Sequence, residues 1–225
     1  SEQDTLVKHY EHLNEKFYKK VGVNRSIDTY KRYCVALNHL KNFLQKKYKV
    51  RDMAFQSLNP TFVKAFDLYL RADLKMTCNT IVNIMARLHL VIKSAMDNGL
   101  IKQDPFMDYK YLTEPLVAKC LSEEEFNLIL TTPLPKDNMN LVRDVFIFSC
   151  MTGLAFSDLR NLTPENMKQA EDGVWWIHTA RKKTGTPCHI PLMELPLQLI
   201  KKYCGISDQG RLFPMFCLLY TSDAA

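Results

Sequence analysis

The sequence predicts a mainly helical protein that contains one small antiparallel β-hairpin, an α+β fold. Two patterns carry this prediction. Apolar residues recur at spacings of three and four through most of residues 5–100, whereas residues 174–180 form a short β-branched and aromatic run. The 225 residues are 47% hydrophobic and 24% charged, which is typical of a globular protein with a buried core and excludes a disordered or fibrous one.

Four helices are predicted in the first half, each from its own start or stop signal. Residues 5–20 form the first helix, and Ser26 is placed to cap the second. Asn59, followed by a proline, opens the third. The fourth begins within residues 77–80 and ends at Gly99, where glycine allows a left-handed cap. The predicted buried positions are Tyr30, Tyr33, Cys34, Leu37, Leu40, Leu44, Phe62, Val63, Phe66, Tyr69, Ile81, Ile84, Leu88, Val91, Ile92, Ala95 and Met96.

The second half restarts at a capping box, in which the Ser122 hydroxyl and the Glu125 carboxylate bond each other's backbone amides. Residues 141–151 predict a core helix that stops before Gly153. A short helix is expected over residues 158–162, capped by Ser157.

A change of period after these helices predicts the hairpin. Residues 174–180 and 188–192 are its strands, and Gly185 lies in the turn that joins them. A last helix is predicted over residues 195–204. The tip of the hairpin is basic, with the cations Arg181, Lys182 and Lys183.

The charge is uneven along the chain. Residues 1–110 hold 19 Lys and Arg against 11 Asp and Glu, a net charge of +8, whereas residues 111–225 hold 11 against 13, a net charge of −2. A basic, aromatic-rich helical half is typical of a domain that binds a polyanion. It is equally consistent with a lysine-rich surface that only keeps the protein soluble. We expect a helical domain over residues 1–110, a linker over 111–120 and a second domain over 121–216.

Several protein classes are excluded. No run approaches the roughly 20 apolar residues of a membrane helix, and no secretory signal is visible. The seven cysteines are scattered without a Cys-x-x-Cys pair, which favours the reducing cytoplasm. His178, Cys188 and His189 could in principle surround zinc, but three loosely placed ligands are a poor site, so we predict no metal.

Three sequence words in a fixed order resemble a known family. They are FSCMTGLAFSDLRNL at 148–162, DGVWWI at 172–177 and RKKTG at 181–185, the last followed by Ile-Pro-Leu. With the helical first half, they are similar to the tyrosine recombinases, or phage-integrase family, and most closely to integrases of Bacteroides-type mobile elements. The resemblance extends from about residue 5 to Phe216. It implies a helical core-binding (SAM-like) domain followed by a truncated recombinase catalytic domain.

The resemblance also implies an activity: site-specific DNA recombination, here integration of a mobile element, through a 3′-phosphotyrosyl intermediate. Cations stabilise the charge that builds on the phosphate, and a lysine protonates the leaving 5′-oxygen. No metal, nucleotide or other cofactor is implied. The expected partner is double-stranded DNA, bound by a full-length tetramer on two duplexes, and the expected location is cytoplasmic and nucleoid-associated.

Carried over residue by residue, the resemblance assigns the general acid to Lys183 in the turn. The family's first arginine would stand at Ala155, whose side chain cannot bind a phosphate. Arg181, on the strand before the lysine, is the expected replacement and Arg160 the runner-up; otherwise the protein is inactive. His178 and Arg181 spell a His-x-x-Arg box, but they precede the hairpin lysine, so we interpret the match as coincidence.

Further residues are candidates for DNA contact. Thr77, Asn79 and Thr80 could approach groove edges, and are equally consistent with helix caps. The cations expected to contact phosphates are Lys41, Lys46, Lys47, Arg87, Lys93, Arg160 and Lys182.

We expect this chain to be an inactive fragment that lacks the nucleophilic tyrosine and the genuine His-x-x-Arg box. Residues 217–225 match the translation of a transposase-end sequencing adapter, so we interpret them as an artefact. Neither Tyr220, within that tail, nor Tyr203 is expected to be the nucleophile. Two alternatives stay open: a non-catalytic helical DNA-binding module, which Ala155 favours, and a relative of the type IB topoisomerases.

Overall fold

The computed structural model describes residues 5–115, 117–206 and 210–214. The chain divides into two compact units, Ser1–Val117 and Ala118–Ala225, called here the amino-terminal and carboxyl-terminal units. The prediction of a mainly helical fold with a small antiparallel sheet is confirmed. Within the described ranges, no helix has the length and apolar character needed to cross a membrane.

The described part of the amino-terminal unit is a bundle of four α-helices, two of which start at caps that the sequence predicted. The Ser26 side chain accepts a hydrogen bond from the Thr29 amide, and that of Asn59 accepts one from Phe62. Gly99 has a φ of +71° and ends the last helix in the predicted left-handed cap. The helices are α1 (Leu6–Tyr18), α2 (Ile27–Phe43), α3 (Pro60–Leu68) and α4 (Cys78–Asp97), and α2 and α3 continue into π-helical turns at Leu44–Tyr48 and Tyr69–Asp73.

An aromatic cluster forms the centre of this bundle. The ring of Phe43 lies 5.6 Å from Phe62, 5.1 Å from Phe66 and 5.4 Å from Tyr69, measured between centroids. Such tilted and edge-to-face pairs add to the stabilisation that area burial gives. The predicted inner face of α4 is buried at Ile81, Ile84, Leu88, Val91, Ile92 and Ala95, while Met96 is half-buried.

The start of α1 is capped from a distant part of the chain. Thr5 stands at the N-cap, but its own side chain makes no capping bond. The Asp52 carboxylate accepts hydrogen bonds from the amides of Val7 at 2.7 Å and Lys8 at 3.2 Å. The negative charge also suits the positive end of the helix dipole.

The described part of the carboxyl-terminal unit combines four α-helices with one sheet. The capping box of Ser122 and Glu125 is present as predicted. The strands pair antiparallel in the order β1-β2-β3, and His178 stands opposite His189 in the register. The elements are α5 (Glu123–Thr131), α6 (Asp137–Thr152), α7 (Phe156–Leu159), β1 (Met167–Gln169), β2 (Trp175–Ala180), β3 (Pro187–Pro191) and α8 (Glu194–Tyr203).

Two local predictions in this unit are corrected. The helix expected over residues 158–162 is α7, which starts at Phe156 with Ala155 at its N-cap, so Ser157 lies inside the helix and is not its cap. The three-residue strand β1 was not predicted, because its sequence Met-Lys-Gln lacks β-branched and aromatic residues.

A buried carboxylate ties α6 to α8. Asp144 is 2% exposed and accepts hydrogen bonds from Lys202 at 2.6 Å, Tyr203 at 2.8 Å and Arg143 at 3.0 Å. Three donors satisfy a carboxylate that would otherwise be costly to bury. The surrounding core includes Phe148, Leu159, Leu162, Ile177 and Phe213.

Candidate functional site

The turn between β2 and β3 presents the proposed general acid. The Arg181 amide donates to the Thr186 carbonyl at 2.8 Å, and the Gly185 amide donates to the Arg181 carbonyl at 2.7 Å. Gly185 has a φ of +71°, which glycine adopts without strain. Lys183 lies in the turn that these two hydrogen bonds close, and it is exposed. Its side chain makes no hydrogen bond or ion pair with any described residue. Its ammonium is therefore available to an external ligand.

The Arg181 side chain reaches the loop between α6 and α7. Its Nη2 donates to the Gly153 carbonyl at 3.2 Å, and its Nη1 lies 3.8 Å from Oδ2 of Asp158. The side chain is 43% exposed, so part of the guanidinium faces solvent. Ala155 follows two residues after Gly153. A cation thus lies beside the loop on which the family resemblance expects an arginine.

Asp158 is a site residue that the sequence analysis missed. Its side chain is only 3% exposed, and Oδ1 accepts a hydrogen bond from the Lys182 amide at 3.0 Å. It therefore fixes the backbone at the base of the hairpin turn. A signal existed in the sequence: Asp158 lies next to Leu159 and between Leu154 and Leu162, all of which are buried.

The other two candidate cations of this unit, Lys182 and Arg160, differ in how they are held. Lys182 is exposed, and only its backbone is bound by Asp158. Arg160 is half-buried just after α7, and its side chain has no hydrogen bond or ion pair to the described parts of the chain. The geometry groups Arg181 and Lys182 around Asp158 and leaves Arg160 outside that group.

The lysines predicted to bind DNA fall into paired and unpaired sets. Lys41 lies 2.6 Å from Glu11 and Lys46 lies 2.9 Å from Asp73, each measured between Nζ and a carboxylate oxygen. The carboxylate of Asp73 raises the pKa of Lys46. By contrast, the exposed lysines without an ion pair to a described residue include Lys47 and Lys93.

Arg87 is held against the bundle. Its guanidinium carbon lies 5.6 Å from the ring centroid of Tyr33, and Nη1 donates to the Asn83 carbonyl. Its Nε is buried and has no hydrogen-bond partner among the residues that the structure describes. Only part of this side chain is available to a ligand.

The polar residues at the start of α4 already have partners within the unit. The hydroxyls of Thr77 and Thr80 lie 2.9 Å apart. The Asn79 amide bonds the Glu114 backbone twice, donating to its carbonyl at 3.0 Å and accepting from its N–H at 3.1 Å. A base contact by Asn79 would compete with these bonds, which hold the segment after the bundle against α4.

The Tyr203 hydroxyl is buried against Asp144, and both burial and this hydrogen bond raise its pKa. Phe216, Tyr220 and the whole of residues 217–225 lie outside the described residues.

Cys188 pairs with Thr179 in the register and so faces the opposite side of the sheet from the two hairpin histidines. In the described ranges, no group of three or more His, Cys, Asp or Glu side chains could hold a metal ion.

Comparison with known proteins gives one family match. Residues 5–111 match the family described as the phage integrase SAM-like domain. This range comprises the four-helix bundle and the segment that follows α4. Among curated proteins, none matches the chain.

Solved structures of integrases share the fold. The integrase of transposon Tn1549, in complex with a circular intermediate DNA, is 18% identical with a TM-score of 0.67. That match covers 88% of this chain, and this chain spans 64% of the Tn1549 integrase chain. A lambda integrase dimer bound to a core site is 14% identical with a TM-score of 0.71, covering 93% of this chain and 73% of that one.

A lambda integrase tetramer bound to a Holliday junction gives a similar result, with 13% identity, a TM-score of 0.71, and coverage of 93% of this chain and 59% of that one. At these identities the likeness concerns the fold. Residues 5–111 thus match the phage integrase SAM-like domain, and the chain shares its fold with these solved integrases.

Proposed function

We propose that this chain is the DNA-binding and phosphate-activating part of a tyrosine recombinase that integrates a mobile element of the Bacteroides type. The amino-terminal unit binds the duplex through its basic surface, and the hairpin of the carboxyl-terminal unit brings cations to the scissile phosphate. The nucleophilic tyrosine is not assigned to any residue of this chain. Two features support the proposal together: the integrase fold and the guanidinium of Arg181 beside the Ala155 loop.

In the proposed reaction, a tyrosine hydroxyl gives its proton to solvent and its oxygen bonds to phosphorus, while the bond from phosphorus to the 5′-oxygen breaks. Lys183 gives its proton to the departing 5′-oxygen. Arg181 places its solvent-facing N–H groups on the non-bridging oxygens, where negative charge builds in the transition state. Asp158 positions Lys183 by holding the amide of the preceding residue, Lys182, and it positions Arg181 by contact with its guanidinium. The position of Arg181 is the single observation that carries this assignment.

The solved relatives support double-stranded DNA as the partner. The Tn1549 integrase was captured with a circular intermediate DNA, and lambda integrase as a tetramer on a Holliday junction. We propose the same partner and a tetrameric assembly for the full-length protein, located with its DNA in the cytoplasm.

The salt dependence of DNA binding tests the first part of the proposal. Each lysine that neutralises a phosphate releases a counterion, so its loss lowers the slope of log affinity against log salt by about 1. Lys47→Ala and Lys93→Ala should each produce this change in a fluorescence-anisotropy titration. Lys46→Ala is the matched control, since its ion pair with Asp73 must break before it binds phosphate, and a smaller change is expected. An affinity that does not depend on salt would contradict the DNA-binding assignment.

A nicked suicide substrate tests the chemical part, using the protein extended at its carboxyl end by the genomic reading frame. Lys183→Ala should lower the rate of covalent adduct formation by about 10²–10⁴-fold. A substrate with sulfur at the 5′-bridging position should restore that rate, because a thiolate leaves without a proton. Arg181→Ala should stay defective on both substrates, whereas Lys168→Ala, which removes an exposed lysine of β1 outside the candidate set, should be close to wild type. Equal defects of Lys183→Ala on oxygen and sulfur substrates would remove Lys183 from the role of general acid.

One observation favours a second function, a non-catalytic helical DNA-binding module. Ala155 stands at the N-cap of α7 with no polar group on its side chain. If the extended wild-type protein binds DNA with a steep salt dependence but forms no adduct on the suicide substrate, this second function is the correct one.

A further inference from the structure

Two histidines face each other across the hairpin on the side away from Ile177 and the core. His178 on β2 is the direct partner of His189 on β3. Their Nδ1 atoms lie 2.7 Å apart, and the ring centroids are 4.7 Å apart at an angle of 67°. His189 is exposed and His178 half-buried, so the pair is open to solvent.

A hydrogen bond between two imidazole nitrogens needs a proton on one and a lone pair on the other. A contact between two neutral rings therefore requires opposite tautomers, with one Nδ1–H directed at the other Nδ1. This contact already brings two metal-binding nitrogens together on a rigid pair of strands. Imidazole nitrogens bind zinc at about 2.0–2.1 Å, so two ligands on one ion stand about 3 Å apart. The observed separation of 2.7 Å is close to that spacing, and rotation of the rings directs both Nδ1 lone pairs at a shared ion.

We propose that His178 and His189 form a two-ligand site for a divalent transition-metal ion such as Zn²⁺ or Ni²⁺, with water in the remaining positions. The ring that carries its proton on Nδ1 moves it to Nε2, both Nδ1 lone pairs bind the ion, and no net proton leaves. Cys188 faces the other side of the sheet and is not a ligand. The bound ion cross-links β2 to β3 and restrains the strands that lead to Lys183. This proposal does not depend on the proposed recombinase function.

The chain contains its own reporter for this site. Trp176 lies two residues before His178 on the same face of β2, and both tryptophans of the chain are in this strand. A bound Ni²⁺ ion quenches nearby indole fluorescence. Titration of the full chain with NiCl₂ should give saturable quenching that ZnCl₂ reverses by competition.

Substitutions assign the ligands. His178→Gln and His189→Gln should each weaken Ni²⁺ binding at least tenfold, because each leaves one imidazole where there were two. His12→Gln, an exposed histidine on α1, is the matched control and should bind like wild type. Amide exchange should also slow in β2 and β3 when ZnCl₂ is added to wild type, and not in the His189→Gln variant.

Two results would overturn the proposal. One is equal Ni²⁺ affinity for wild type and both hairpin variants. The other is a loss of affinity in Cys188→Ser as large as that in His189→Gln, since it would place the ion on the opposite face of the sheet.

Discussion

The two units bury different kinds of polar side chain. In the described part of the amino-terminal unit, the buried polar residues are His9 and Asn14, and no carboxylate is buried. The carboxyl-terminal unit buries both Asp144 and Asp158, at 2% and 5% exposure. A buried carboxylate is stable only where neighbouring groups supply hydrogen bonds and positive charge. One unit is therefore built on apolar packing, and the other depends on charge within its scaffold.

This difference extends to what the charges of each unit can do. Ion pairs such as that of Lys41 with Glu11 lie on the surface of the amino-terminal unit, where solvent weakens them. Asp144 joins two helices, and Asp158 joins α7 to the hairpin. Surface pairs can exchange a carboxylate for a phosphate with little structural change, whereas the buried ones cannot be altered without loosening the fold.

The largest effect is expected from a core substitution in the amino-terminal unit. Phe66 is fully buried and packs against Phe43, so Phe66→Ala should lower the free energy of unfolding of this unit by about 3–5 kcal/mol through a cavity. Amide exchange of peptides from α2 and α4 measures the loss. Leu68→Ala is the control on the same helix, because Leu68 is 61% exposed and its loss should cost less than about 0.5 kcal/mol. Similar losses for both variants would contradict the idea that apolar packing holds this unit.

A somewhat smaller loss of unfolding free energy is expected in the carboxyl-terminal unit when Asp144 is replaced. Asp144→Ala leaves Arg143, Lys202 and Tyr203 without their shared acceptor and should destabilise the unit by about 2–4 kcal/mol. Lys202 is half exposed and can turn to water, which moderates the loss. Tryptophan fluorescence during denaturation reports on this unit alone, since both tryptophans lie in β2.

The control is Asp137→Ala, which removes an exposed carboxylate from the same helix. Its effect should stay within about 0.5 kcal/mol. Equal stability of Asp144→Ala and Asp137→Ala would show that the buried carboxylate contributes nothing to the fold.

Acid should weaken the carboxyl-terminal unit through the same residue. Burial alone would raise the pKa of Asp144, but hydrogen bonds from Lys202, Tyr203 and Arg143 lower it below its usual value. The stabilisation is therefore complete above the unfolded pKa of about 4, and is lost as the pH falls through the lower folded value. For the wild-type protein, the denaturant midpoint measured by tryptophan fluorescence should decrease as the pH drops through this range. Asp144→Asn should show a smaller fall, and parallel pH profiles for the two proteins would contradict the assignment.

Local signals explain why most helix boundaries could be predicted. The caps at Ser26, Asn59 and Ser122 are each formed within three residues of the sequence, so they are visible in it. The capping of α1 by Asp52 joins residues 45 positions apart, as in the bond from Val7. No local pattern specifies such a contact.

The candidate site shows the same limit. Turn residues predicted the hairpin and put Lys183 at its tip, because a glycine turn between two strands is a local signal. The choice between Arg181 and Arg160 depended on which side chain reaches the Gly153 loop, and the observed contact spans 28 positions. Asp158 escaped attention because its partner, the Lys182 amide, lies 24 positions away.

The smallest expected effect concerns Asp158, whose bonds are fewer than those of Asp144. Asp158→Ala removes the acceptor of the Lys182 amide and should speed the hydrogen exchange of that amide about tenfold, equivalent to about 1.4 kcal/mol. Asp158→Asn keeps an acceptor oxygen at the same place and should retain most of the protection. Exchange of individual amides measured by NMR separates the two variants. Unchanged exchange in Asp158→Ala would mean that the strand pairing alone holds the base of the turn, and that the buried carboxylate orients only the Arg181 side chain.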